Sequence, residues 1–156
     1  MERDPKTERT SENDELKAWY KPSLDKVVQE MIKLGVVSGA AVEAAPIWAA
    51  PSQWLIAKVW GAGQANKFIW TISGDDVVSD YIPGSMADNP RDVAKHFALK
   101  WQMNADQIMH LADNRPMTLD AQSKMKSRAE KLIRHAESLY DLTTQEDIWA
   151  LRDDSR

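Results

Sequence analysis

Between residues 13 and 34 apolar side chains recur at intervals of three and four, at Leu16, Tyr20, Leu24, Val27, Val28, Met31 and Ile32, which traces one face of an α-helix. Trp19 falls at the margin of that stripe. Pro22 lacks an amide donor, so it either kinks a continuous helix or starts a second one at its first turn. Gly35 stands where a C-terminal cap belongs. Beyond it the period changes from helical to two. Residues 39–48, alanine-rich and followed by Pro51, predict a first strand whose irregularity at Pro46 places it at a sheet edge. The run WLIAKVWGAGQANKFIWTI, residues 54–72, holds two aromatic and β-branched strands around a glycine-containing turn, the pattern of a hairpin with a longer loop. In the first of these, both alternating sets, Trp54/Ile56/Lys58/Trp60 and Leu55/Ala57/Val59, are largely apolar, which predicts a central strand covered on both faces. In the second, Phe68, Trp70 and Ile72 alternate with Ile69, Thr71 and Ser73. A short fourth strand fits residues 77–82.

Helical periodicity returns after Asn89-Pro90, an N-cap followed by proline at the first helical position, with Asp92 suited to the dipole there. Val93, Ala94, Phe97, Ala98, Trp101, Ala105, Ile108, Leu111 and Ala112 form its stripe, and Asp113, Asn114 and Pro116 end it. A last long helix from about Thr118 offers Met125, Ala129, Leu132, Ile133, Ala136, Leu139 and Tyr140 to a core, and Thr143 or Thr144 caps one further turn carrying Ile148 and Trp149. The predicted fold is α+β: an N-terminal helix, an antiparallel sheet of three or four strands, then two long C-terminal helices packed on the sheet. Residues 1–12 are charged and nearly devoid of apolar side chains, so a disordered tail is expected there, with a single domain over 13–150 and a disordered terminus at 151–156.

Composition adjusts this picture little. The chain's 156 residues, 43% of them hydrophobic, suffice for one core. A net charge of −4 gives no general attraction to nucleic acid or anionic membrane. The absence of cysteine excludes disulfides, thiol catalysis and cysteine-ligated metals, and favours a reducing compartment. With no apolar stretch long enough to span a bilayer and no secretory pattern at the start, a cytoplasmic location and no membrane partner are expected.

Several groups of residues could carry chemistry. Asp75, Asp76 and Asp80 lie within six residues, close to Tyr81, and paired carboxylates bind hard cations or divide acid and base roles. The calcium-loop spacing is missing, and Gly74-Asp75 is equally good turn chemistry, so no metal and no cofactor is expected. His96 shares a helix face with Asp92 and Lys100, an arrangement that holds a general base or simply a solvated surface. Lys124, Arg128, Lys131 and His135 form a basic stripe, but Glu130 and Glu137 beside it argue for a solvated face or an acidic protein partner rather than nucleic acid. Seven tryptophans are many for this length, and Trp48, Trp54, Trp60 and Trp70 fall close together in sequence. Core filling accounts for them unless one sheet face stays uncovered, in which case Trp54, Trp60 and Trp70 form a binding patch.

The runs FIWTISGDDVVSDYIP and NPRDVAKHFALKWQM, together spanning residues 68–103, resemble a family of small bacterial single-domain proteins that are uncharacterised. The resemblance implies a bacterial setting and no particular activity. Lacking a nucleophile elbow, a phosphate loop or a dinucleotide fingerprint, the sequence favours a non-enzymatic cytosolic protein-binding or adaptor domain that self-associates through its tryptophan-rich sheet. The competing expectation is an enzyme or small-ligand binder that uses Asp75, Asp76, Asp80 and Tyr81 with Arg91 and His96.

Overall fold

A computed structural model describes residues 5–37, 41–50, 53–74 and 79–153. Its elements follow the order α1 (Pro5–Lys33), β1 (Val42–Ala50), β2 (Trp54–Gly61), β3 (Ile69–Ser73), β4 (Asp80–Pro83), α2 (Pro90–Asn114), α3 (Leu119–Thr143) and α4 (Glu146–Asp153). This is the α+β order that the periodicity predicts, an N-terminal helix, a four-stranded antiparallel sheet and two long helices. The contacts divide the chain into two compact units, Met1–Met86 and Ala87–Arg156.

In the first unit α1 begins at Pro5, ahead of the apolar pattern, so residues 5–12 are helical where a disordered tail is expected. Proline suits the first helical turn, and once the following amphipathic stretch has nucleated a helix, extending it through Lys6, Glu8, Arg9 and Glu12 costs little. The helix runs unbroken through Pro22 and ends in a two-bond cap. The amide of Gly35 donates to the Ile32 carbonyl (3.0 Å) and that of Val36 to the Met31 carbonyl (3.1 Å), with Gly35 at φ +70°. Only glycine takes that left-handed conformation without cost, which is why the helix stops there.

The sheet order is β1-β2-β3-β4, with β2 and β3 inside and β1 and β4 at the edges. All neighbours are antiparallel, and the β1 register slips between Pro46 and Trp48, confirming an irregular edge strand. Val27 and Met31 of α1 pack with Val59 of β2 and Ile69 of β3, while Leu24, Val42, Ala44 and Tyr81 border them. One sheet face is therefore the seat of α1. On the other face of the inner strands, Trp54, Ile56, Trp70 and Ile72 are buried as well, so β2 is covered on both faces.

In the second unit, the Asn89 side chain accepts from the Asp92 amide at the start of α2 (2.9 Å), and the Thr118 hydroxyl accepts from the Ala121 amide at the start of α3 (3.1 Å). These caps satisfy amides that the helix itself leaves without partners. A link of only four residues, 115–118, turns the chain back, and α2 and α3 form an antiparallel helical hairpin. Phe97 and Trp101 on α2 are buried, as are Ala129, Ala136 and Leu139 on α3. Trp149 of α4 donates its indole N–H to the Leu142 carbonyl (2.8 Å). Tyr140, expected in the core, is 53% exposed instead. It directly follows buried Leu139, and the apolar stripe on α3 is narrow enough that its neighbour falls outside it.

Candidate functional site

The sheet face opposite α1 carries the aromatic concentration that the sequence points to, but not as an open patch. Trp54 and Trp70 are buried and Trp60 is half-buried, its indole N–H donating to the Glu43 carboxylate across the β1–β2 pair (2.8 Å). Trp48 is buried too. Of the three tryptophans proposed for binding, Trp60 alone reaches the surface, next to edge strand β1.

Around Trp70 the side chains form a fixed arrangement. Lys58 lies directly opposite Trp70 in the β2–β3 register. Its ammonium sits 4.5 Å from the ring centre of Phe68 and 4.9 Å from that of Trp70, close enough for attraction to both π faces. The two rings meet edge to face, 83° apart with centres 5.4 Å from one another. Trp70 donates its indole N–H to the Gly84 carbonyl (3.2 Å), and the Gly84 amide donates to the Phe68 carbonyl (3.1 Å). A Cβ at Gly84 would stand 2.5 Å from that carbonyl oxygen and 2.8 Å from the Phe68 ring, so only glycine lets the chain leaving β4 lie across Phe68. Beside this arrangement is an open cavity of about 540 Å³, walled by Phe68, Tyr81 and Pro83 and rimmed by Asn66, Lys67 and Ser85.

The acidic loop contributes less. Asp75 and Asp76 lie outside the described residues. Asp80 opens β4, where its carboxylate accepts from the Tyr81 amide (2.8 Å), a local contact typical of aspartate at a turn. Arg91 belongs to the second unit and has a structural partner. Its Nε donates to the Thr143 carbonyl (2.8 Å) at the end of α3, where a cation also meets the negative end of the helix dipole. His96 is half-buried on α2, one turn from Asp92 and Lys100. Among the described residues, no group of three or more histidine, aspartate or glutamate side chains is placed to hold a metal ion.

The basic stripe on α3 loses its last member. Lys124, Arg128 and Lys131 are exposed, with Lys124 paired to Asp120 (3.1 Å), whereas the His135 ring is half-buried and meets buried Trp101 in a T-shaped contact, ring centres 6.4 Å apart. Sequence reasoning missed the Phe68 cavity altogether. The signal was present in Pro83-Gly84, which reads as a turn but also marks close backbone approach.

No helix among the described residues is long and apolar enough to cross a membrane. No curated protein and no solved structure matches the chain. Residues 13–149 match the family model described as a domain of unknown function, DUF4826, a span that includes the sheet with its aromatic arrangement and both long helices. The chain therefore belongs to the DUF4826 family.

Proposed function

We propose that the chain is a non-enzymatic protein-binding domain of the bacterial cytosol that self-associates through the β1 edge of its tryptophan-rich sheet. The observation that carries this reading is the inequality of the two edges. Strand β4 is four residues long, begins with Asp80 and ends with Pro83, whereas β1 runs for nine residues with Glu43 as its single charged side chain. Long edge strands with few charges recruit a further strand.

The groups that would do so can be named. The Ala62 amide donates to the Ala41 carbonyl (3.0 Å), which makes this a hydrogen-bonded pair at the open end of the β1–β2 ladder. Alternation then assigns Glu43 and Ala45 to bonds with β2, and directs the amide and carbonyl of Val42 and Ala44 away from it. Pro46 takes the next outward position and has no N–H to offer. A second copy running antiparallel would meet Val42 and Ala44 with its own, and half-buried Trp60 flanks that contact. A cytosolic setting agrees with the absence of cysteine.

Sedimentation of the full chain from about 1 to 100 μM, the range in which moderate self-affinity shows, tests the reading. The expected result is a monomer–dimer equilibrium that Ala44→Pro shifts to monomer, since this change removes an outward donor and no β1–β2 bond. A parent chain that stays monomeric throughout overturns self-association. A dimer that survives in a folded Ala44→Pro variant moves the contact to another surface.

A further inference from the structure

The cavity beside Phe68 has a construction that the β1 edge does not use. Its volume of about 540 Å³ is that of a small-molecule site, and all its described lining belongs to the first unit. Two of its walls are rings, those of Phe68 and Tyr81, and Pro83 adds a third rigid apolar surface. The Phe68 ring is held on several sides, by the Trp70 ring in an edge-to-face contact with centres 5.4 Å apart, by the Lys58 ammonium at 4.5 Å and by the backbone of Gly84. Such a wall is already ordered before anything binds, so a ligand would not have to immobilise it. At the rim a single turn of 3-10 helix, Ala65–Lys67, closed by the Lys67 amide on the Gln64 carbonyl (2.9 Å), carries Asn66 and Lys67. Ser85 approaches from the opposite side of the sequence, just after β4.

Charge selects the ligand. Among the described lining residues, Lys67 is the only charged side chain, and no carboxylate is present. Asn66 and Ser85 supply further donors beside it. We propose that this cavity binds a small organic carboxylate with a flat apolar body, the body lying between the Phe68 ring, Tyr81 and Pro83, and the carboxylate meeting Lys67, Asn66 and Ser85 at the rim. A neutral compound of the same shape would leave the ammonium without a partner, and a bare inorganic anion would leave the aromatic walls without one.

Amide NMR of the full chain separates these cases. Phenylacetate, 2-phenylethanol and inorganic phosphate are each added up to about 10 mM, a concentration at which millimolar binding saturates. Phenylacetate is expected to shift the amides of Lys67, Phe68, Tyr81 and Ser85 saturably. Phenylethanol, which loses the charge-assisted hydrogen bond, and phosphate, which loses the apolar contact, should each bind there at least about tenfold more weakly. Lys67→Gln, a change at an exposed side chain, should weaken phenylacetate by about fivefold to tenfold with the spectrum otherwise preserved. The proposal is overturned if phenylacetate causes no saturable shift at these amides, if phosphate or phenylethanol matches it, or if Lys67→Gln binds as well as the parent. Shifts of the same amides on concentrating the protein alone would identify the cavity as a contact between copies and overturn it equally.

Discussion

Trp101 shows how much of the second unit rests on one side chain. It is 1% exposed, its ring centre is 5.9 Å from that of Phe97 one turn back on α2, and it forms a T-shaped contact with the His135 ring of α3. Removing it leaves a void between two helices whose backbones cannot close over it, and Trp101→Ala should cost about 3 to 5 kcal/mol. The melting temperature should then fall by about 10 °C, readable by calorimetry; a variant as stable as the parent would show that the hairpin repacks around the loss. Phe97, Trp101 and their neighbours were legible from spacing, because a helix stripe is a property of a short run of sequence. His135 was not. Spacing puts it in line with Lys124, Arg128 and Lys131, and only the tertiary neighbour Trp101 turns it inward. The aromatic arrangement at Lys58 was hidden for the same reason, since the cross-strand partner of a residue follows from register, and register depends on loops whose length a pattern does not set.

Among the elements, α1 resolves an alternative that the sequence leaves open, continuing through Pro22 rather than restarting there, and it begins before any apolar pattern. A proline inside a helix forfeits one backbone hydrogen bond and crowds the preceding turn. Pro22 is exposed, so no buried contact offsets this. Pro22→Ala should therefore stabilise the chain by about 1 to 3 kcal/mol, raising the thermal midpoint by several degrees. If it falls instead, proline at this position is what lets Leu24, Val27 and Met31 seat against the sheet, and the helix trades intrinsic stability for that seating. Strand positions are more legible in the sequence than strand ends: Pro46 marks β1 as an edge, and β2 reads as central because neither of its faces is polar. The caps at Asn89 and Gly35 lie where the sequence places them, and the Thr118 cap stands at the expected start of α3, since a cap is settled within four or five residues.

At the scale of the whole molecule, the sheet has two unequal borders, and the longer one is interrupted once. The slip between Pro46 and Trp48 leaves an extra residue in β1, so that Glu43 and Ala45 before it share a face with Trp48 and Ala50 after it. Without the interruption, β1 would be a regular nine-residue strand, nearly uncharged and rich in alanine, with Val42, Ile47 and Trp48 as its larger apolar side chains, an unbroken edge of the kind that templates cross-β stacking. Pro46 breaks that template where it is widest. Pro46→Val should leave the chain able to fold, yet convert a clear solution into thioflavin-binding fibrils at concentrations where the parent stays dispersed; equal dispersal of both would place the safeguard elsewhere, in Glu43 or the twist of the strand. The irregularity in this ladder is thus a brake on templating, allowing an edge long enough to receive one more strand without inviting an endless stack of them.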